Sequence, residues 1–378
     1  MKNAIYFLLA AALTLSTASL AQQSNPAGML RDKKQAETLS SLKNLGDGKF
    51  YSMNYKADYR LQEFIDADIE SQEKLRMVIA GTLMDIPSML APAPAMKPAC
   101  TAFKAVTPDG DVIYARNFDY TFTDSGTIML RTAPKRGYKS ISMVSSSFVG
   151  LSGGMLCDGG TDLSMLVGAP YMQMDGMNEK GLAVSVLHLR HKGAQQSDAG
   201  KHTVMTSVMM RMLLDRAATV DEAVSLLGDY NFFADGVQKG KEEWSNYHFF
   251  IADARGRSAV LEYIMEGGPD SDSRWVLNVI DDTAVTNYYL SEGWEKACGQ
   301  DSRYGKTKAC LGESAGVMTE EEAMQLLQTV SQPHRKKGDS HTQWSVVYNL
   351  SKKTATVCIG MDYGRSWRFA VRNPRRYF

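Results

Sequence analysis

The stretch running Cys100-Thr101-Ala102-Phe103-Lys104-Ala105-Val106-Thr107-Pro108-Asp109-Gly110-Asp111-Val112-Ile113-Tyr114-Ala115-Arg116-Asn117-Phe118-Asp119 holds a thiol, a guanidinium and a carboxylate. Two runs rich in β-formers flank Pro108-Asp109-Gly110-Asp111, a turn signal because glycine tolerates positive φ, so the stretch reads as a hairpin. Pairing Thr107 with Val112 sets Asp119 opposite Cys100, and a slip of a residue or two still leaves Arg116 and Asp119 beside the cysteine. Such a grouping suits a nucleophile with two charge partners. If the peptide bond between Ala99 and Cys100 is cut, Cys100 gains a free α-amine, with an unperturbed pKa of about 7.7–8.0, within reach of its own sulfur. That amine can act as general base without a histidine, while Arg116 favours the thiolate and Asp119 holds the ammonium. Read by themselves, Arg116 and Asp119 fit a plain hairpin ion pair better than a catalytic group.

The cysteine has to be delivered by what precedes it. Residues 22–53 are polar and mixed. Over 59–90 the pattern is helical: Leu61, Ile65 and Ile69 are spaced at i+4, and Leu75, Val78, Ile79 and Leu83 resume the stripe in a new phase, predicting two short helices with a joint near Ser71. Pro87, Pro92, Pro94 and Pro98 then preclude helix and favour an extended connector leading to Cys100. Strands and hairpin turns follow to about Leu189, with 178–181 a turn before a buried strand. A helix is expected over 203–216, and Thr219 and Glu222 form a capping box that opens another. A second hairpin turns at Arg255-Gly256, a strand covers 275–280, Thr319 caps a helix, and 344–350 with 356–361 close the chain as a strand pair. Hairpins rather than crossovers favour an α+β fold with antiparallel sheets and segregated helices.

The 378 residues are 44% hydrophobic and 22% charged, with 42 acidic and 42 basic side chains, as expected of a soluble globular chain. A net charge of zero gives no electrostatic reason to expect nucleic acid or an anionic membrane as partner. Lys2, the apolar run from Ala4 to Leu15 and Ser19-Leu20-Ala21 read as a signal peptide over 1–21, too short to span a bilayer comfortably, so export to periplasm or medium is expected. The residue directly after Ala21 is Gln22 and not a cysteine, which argues against a lipid anchor. Residues 22–99 are then a helical propeptide or small subunit with a Pro-rich linker, and 100–378 the main domain. The five cysteines, Cys100, Cys157, Cys298, Cys310 and Cys358, are odd in number and show no zinc-site spacing. Cys298 and Cys310 are close enough in sequence to pair. No metal or cofactor is expected, and a homo-oligomer is left open.

Cys-Thr-Ala-Phe followed by Ala115-Arg116-Asn117-Phe118-Asp119-Tyr120 resembles the start of the mature chain in the choloylglycine hydrolase family, the amidases that include bile salt hydrolases and penicillin V acylases, with acid ceramidase and N-acylethanolamine acid amidase as distant members. The spacings agree, 116 − 100 = 16 and 119 − 100 = 19. Asp175-Gly176-Met177-Asn178-Glu179-Lys180-Gly181-Leu182, Thr286-Asn287 and Ser302-Arg303-Tyr304 resemble later motifs in the same order. The resemblance covers roughly 100–378. It implies an N-terminal-nucleophile (Ntn) hydrolase with an αββα four-layer sandwich, self-cleavage between Ala99 and Cys100, and hydrolysis of a linear N-acyl amide through a thioester. It further implies that Asn287 donates to the oxyanion, that Arg116 and Arg303 keep the thiol region electropositive, that Asp119 fixes the amine, and that Asn178 lies toward the substrate. Met165, Met172, Met174 and Met177 cluster before Asn178, and their flexible thioethers suit an adaptable apolar acyl pocket at Met174 or, at least as well, ordinary core filling.

Two departures stand out. Ten residues beyond Asn178, where many Gram-positive members carry an oxyanion-binding asparagine, this chain has His188, which is given no role. The 99 − 21 = 78 residues between the expected signal cleavage and Cys100 are more like the layout of acid ceramidase. Bile salts are the lead substrate. Lipid amides of the N-acylethanolamine or ceramide type, penicillin V, acyl transfer to an amine, and a non-catalytic exported binding protein on the same scaffold stay open.

Overall fold

The computed structural model describes residues 30–84, 99–234, 245–297, 299, 301–336 and 338–372. The expected signal peptide, the connector prolines and Cys298 lie outside the described residues. Helix α1 (Lys33–Leu39) opens on Asp32, whose carboxylate accepts from the Gln35 amide at 2.9 Å. Two strands follow that the sequence pattern did not reveal, β1 (Lys43–Gly46) and β2 (Phe50–Tyr55). Most of β2 is buried on both faces, with only Asn54 exposed, so it lacks the alternation that marks a one-sided strand. Helices α2 (Leu61–Asp66) and α3 (Gln72–Val78) come next, α3 capped by Ser71 and prolonged by a π-turn over Ile79–Leu83. The phase break at Ser71 is thus the joint between them.

The hairpin of β3 (Ala99–Val106) and β4 (Val112–Tyr120) forms, but one residue away from the expected register. Val106 pairs with Val112, Cys100 with Phe118 and Ala99 with Asp119. The cause lies in the turn. The Thr107 amide donates to the Asp111 carbonyl at 2.7 Å, the Asp111 amide donates to Thr107 Oγ1 at 3.0 Å, and Gly110 takes φ 87°. Thr107 is therefore spent inside the loop. A one-residue shift exchanges faces. Cys100 shares a face with Arg116, while Asp119 points to the other side of the sheet.

The remaining elements are β5 (Thr127–Thr132), β6 (Ser140–Ser145), β7 (Gln173–Asn178), β8 (Ala183–Leu189), β9 (Thr203–Met205), α4 (Thr206–Arg216), α5 (Val220–Leu227), β10 (Asn231–Phe233), β11 (Asn246–Ala252), β12 (Ser258–Met265), β13 (Trp275–Ile280), β14 (Ala284–Val285), α6 (Ser302–Glu313), α7 (Glu320–Thr329), β15 (His341–Asn349), β16 (Thr354–Ile359) and β17 (Trp367–Ala370). Thr319 and Glu322 complete a capping box at α7. At α5, Thr219 caps Glu222, but the Glu222 carboxylate turns to the Ala218 amide at 2.8 Å.

A nine-stranded sheet runs β1-β2-β5-β6-β7-β8-β11-β12-β13 and a six-stranded sheet runs β14-β3-β4-β15-β16-β17. Neighbours are antiparallel in both, except β2 beside β5. The sheets stack face to face around Phe118, Met143, Met177, Phe250, Trp344 and Tyr348. Outside the larger sheet, α4 and the segment before Cys100 bury Phe64, Ile65, Met209 and Leu213 in a second core. Outside the smaller one, α6 and α7 cover Phe103, Ala105 and Val347. The result is the expected αββα layering, in which the segment before Cys100 supplies the edge strand β1 and its neighbour β2 as well as helices.

Phe64 has no exposure and stacks on Tyr171 with ring centroids 3.8 Å apart. Phe64→Ala is expected to cost about 3–5 kcal/mol in urea unfolding. A loss below about 1 kcal/mol would mean that this segment folds apart from the sandwich.

Candidate active site

Cys100 sits second in β3, with its sulfur in the layer between the sheets. The Arg116 guanidinium reaches it from two positions along the neighbouring strand face, Nη2 lying 3.3 Å from Sγ. The Cys100 amide N–H donates to Asn287 Oδ1. The same oxygen accepts from Arg303 Nη2 at 2.9 Å, and Asn287 Nδ2 donates to the His188 carbonyl at 2.8 Å. Two donors on the oxygen and an acceptor on the nitrogen define which way the amide points. Asn287 therefore meets the nucleophile's nitrogen as an acceptor in this uncut chain.

Arg303 lies in the first turn of α6, behind the N-cap Asp301. Its Nη1 donates to Asp119 Oδ2 at 3.0 Å and to Thr101 Oγ1 at 3.4 Å, and its Nε to Asp301 Oδ2 at 2.9 Å. One guanidinium thus holds Asp301, Asp119 and Asn287 together. Asp119 also accepts from Thr342 Oγ1 at 2.6 Å. Because the register turns Asp119 away from the sulfur's face, its carboxylate acts on Cys100 through Arg303 and not by direct contact.

Arg116 is fully buried and carries its own support. Nη1 donates to the Met174 carbonyl at 2.8 Å, and Nε lies 3.3 Å from Asp175 Oδ2. Asp175 accepts in turn from Trp344 Nε1 at 3.0 Å and from the Tyr348 hydroxyl at 2.6 Å. The guanidinium comes from the smaller sheet and the carboxylate from the larger, so the ion pair crosses the interface between them.

Burial pushes the Cys100 thiol up, and the Asp119 carboxylate adds to this. Arg116, the Asp119 backbone amide and Arg303 pull it down again. Burial also raises the Asp119 carboxyl, to about 7, against the pull of Arg303, Thr342 and Arg116. His188 is lowered to about 4, first by burial and then by Arg190 and His248, so its ring is neutral.

Of the residues singled out in the sequence, Cys100, Arg116, Asn287 and Arg303 converge within hydrogen-bonding distance, with Asp119 joined through Arg303. Met174 contributes its backbone carbonyl. Asn178 is different: it is fully buried, its Nδ2 donates to the Leu214 and Ala217 carbonyls at 3.0 and 2.8 Å, and its Oδ1 accepts from the Lys180 and Leu182 amides. Those bonds build the turn at Gly181, where φ is 87° and a Cβ would meet the Leu350 carbonyl at 2.4 Å. The Asn178 side chain is thus engaged in holding this turn to the end of α4. His188 serves the site through its carbonyl, while its ring packs edge-on to Tyr247, centroids 5.9 Å apart. Asp175, Trp344, Tyr348 and Thr342 were not foreseen as site residues. Asp175 lies inside a quoted motif, but its pairing with Arg116 across two sheets leaves no spacing signal.

Among the described residues no group of His, Cys, Asp or Glu could hold a metal ion, and no helix is long and apolar enough to cross a membrane. A groove of about 670 Å³, lined by Lys34, Lys56, Arg131, Lys139 and Arg372 among others, shares no residue with the cysteine cluster.

A strand-opening cysteine between stacked antiparallel sheets, flanked by outer helices, defines an α+β sandwich of the αββα kind. Residues 100–268 match the family of linear amide C–N hydrolases, choloylglycine hydrolase family, which is the family the motifs resemble. The chain is 37% identical to a penicillin V acylase from Pectobacterium atrosepticum over 93 residues, 24% of this chain and 25% of that protein, so the match spans about a quarter of the relative's length. Solved structures similar to it include a mutant conjugated bile acid hydrolase from Clostridium perfringens, at 15% identity and a TM-score of 0.47, covering 72% of this chain and 92% of that one. Another is a penicillin V acylase from Agrobacterium tumefaciens, at 20% identity and a TM-score of 0.45, covering 69% and 83%.

The raised Asp119 carboxyl has a consequence for stability. Between about pH 4 and pH 7 the folded chain holds a proton at Asp119 that the unfolded chain releases, so this residue's contribution to stability falls as pH rises through that window. Urea unfolding of the parent and Asp119→Asn at pH 4, 5.5 and 7 checks this. The parent is expected to lose stability relative to the variant as pH rises, and a constant difference would contradict it.

Proposed function

We propose that this chain is an exported amidase that cuts itself between Ala99 and Cys100 and then hydrolyses linear N-acyl amides, with conjugated bile acids the leading substrate class. The observation that carries the reading is that both reactive atoms of Cys100 already have built partners: Arg116 at the sulfur and Asn287 at the nitrogen. After cleavage the α-amine takes the place of the amide nitrogen beside Asn287 Oδ1. It removes the thiol proton as sulfur attacks the substrate carbonyl, and returns a proton to the leaving amine as the tetrahedral intermediate collapses to a thioester. Water resolves the thioester with the same amine as base. Arg116 and Arg303 offset the thiolate charge in a site with little water to screen it. Asn287, held by Arg303 and the His188 carbonyl, supplies Nδ2 toward the oxyanion.

The family match and the penicillin V acylase similarity support the reaction class. The amine-led N-terminal pattern of 1–21 supports export. The segment before Cys100 supports retention after the cut, because β2 is hydrogen-bonded to β5 along its length and Tyr59 donates to Asp215 at 2.6 Å.

Intact-mass measurement tests the cut: two fragments divided at Ala99/Cys100, co-eluting on gel filtration, are expected. A Cys100→Ala protein should stay whole and hydrolyse no glycine- or taurine-conjugated bile acid. Asn287→Ala should lower kcat by about 100- to 1000-fold. An uncut, iodoacetamide-resistant parent would instead make the chain a binding protein on an amidase scaffold. Parallel assays on N-acylethanolamines, penicillin V and added amines distinguish substrate and acyl transfer.

A further inference from the structure

Asn287 rides on the segment 286–291, which leaves β14 in the smaller sheet and reaches the inner face of the larger one, the face that carries Phe250 and Val260. Its grip there is a buried pair the mechanism above does not use. His248 on β11 and Glu262 on β12 are direct cross-strand partners with no exposure. Glu262 Oε1 accepts from the Leu290 amide at 2.8 Å, and Oε2 accepts from the Ser291 amide at 2.9 Å and from its hydroxyl at 2.6 Å. The Ser291 hydroxyl oxygen in turn accepts from Asn278 Nδ2 at 2.9 Å. A carboxylate surrounded by donors is the ionised form, so His248 Nδ1, 3.1 Å from Oε1, carries a proton. His248 Nε2 lies 2.7 Å from the Thr286 carbonyl, which can only accept, so it carries one as well.

The arrangement is a buried imidazolium–carboxylate pair with its hydrogen bonds filled, the condition under which such a pair is tolerated. It holds the segment at both ends, Thr286 by its carbonyl and Leu290–Ser291 by their amides. Asn287 is the residue next to the first hold.

We propose that His248 and Glu262 are positioning residues that clamp the Asn287 segment across the two sheets, setting Asn287 at the distance from Cys100 that amide hydrolysis requires. The clamp rests on the amidase reading for its effect on turnover, though not for its existence. Neither residue touches Cys100 or Arg116, so the thiol's surroundings stay intact when the clamp is loosened. A misplacement near 1 Å at a reacting centre lowers turnover by about 100-fold.

Nitrogen-15 NMR of the histidine rings in the whole protein, with His248 assigned by its loss in His248→Gln, tests the first part. Protons on both ring nitrogens at neutral pH are expected, and a neutral tautomer would overturn the clamp. Glu262→Gln and His248→Gln test the second part. In each, kcat is expected to fall by about 10- to 100-fold with KM within about threefold and iodoacetamide labelling of Cys100 unchanged. Unchanged kcat, or a fall in labelling in step with kcat, would overturn it. Should the parent cleave no amide at all, the amidase reading fails, while the ring-nitrogen signals still decide the clamp.

Discussion

The fully buried Arg116 guanidinium is the constraint around which the rest is arranged. A cation between two apolar sheets is destabilising unless it is paired, and its partners come from both sheets: Asp175 as counter-charge and the Met174 carbonyl from the larger, the Cys100 sulfur from the smaller. Asp175 needs its own partners, and Trp344 and Tyr348 provide them from β15. Satisfying one charge therefore ties four strands, β3, β4, β7 and β15, together at one place and leaves a guanidinium aimed at a thiol. The charge that favours thiolate chemistry and the interaction that joins the layers are the same feature.

On the opposite face of β3 and β4 a second arginine does a different task. Arg303 gathers Asp119, Asp301, Thr101 and Asn287 around one guanidinium, with α6 presenting it from the outer layer. Cys100 is thus reached from the sheet interface by Arg116 and, through its backbone nitrogen, from the helical side by Asn287 and Arg303. A cysteine at the start of a strand makes this division possible, since its side chain and its nitrogen face different neighbours.

The segment before Cys100 is part of the same architecture. Phe50 packs between the sheets, edge-on to Trp367 at 5.0 Å, while Tyr51, Met53 and Tyr55 join the outer core. Tyr55 and Tyr171 close the seam by donating to the Val167 and Tyr59 carbonyls, each at 2.6 Å. Its hold on the sandwich consists of a strand ladder and packed aromatics, neither of which depends on the covalent link at Ala99.

Local chemistry determined a good deal. The Gly110 and Gly181 turns, the caps at Ser71 and Thr319, and the grouping of Cys100 with Arg116 all follow from preferences that act over a few residues, and the ordered motifs pointed to the αββα layers. Tertiary structure decided what those preferences leave free. The turn at Thr107 shifted the hairpin by one residue, and with a side-chain period of two this moved the Asp119 side chain to the other face, where Arg303 from a distant helix holds its carboxylate. Asn178, Asp175 and β2 show the same thing. Each also depends on hydrogen bonds to partners dozens of residues away or more, Leu214 and Ala217 for Asn178, Trp344 and Tyr348 for Asp175 and β5 for β2, and no pattern along the chain records which distant partner a buried polar group will meet.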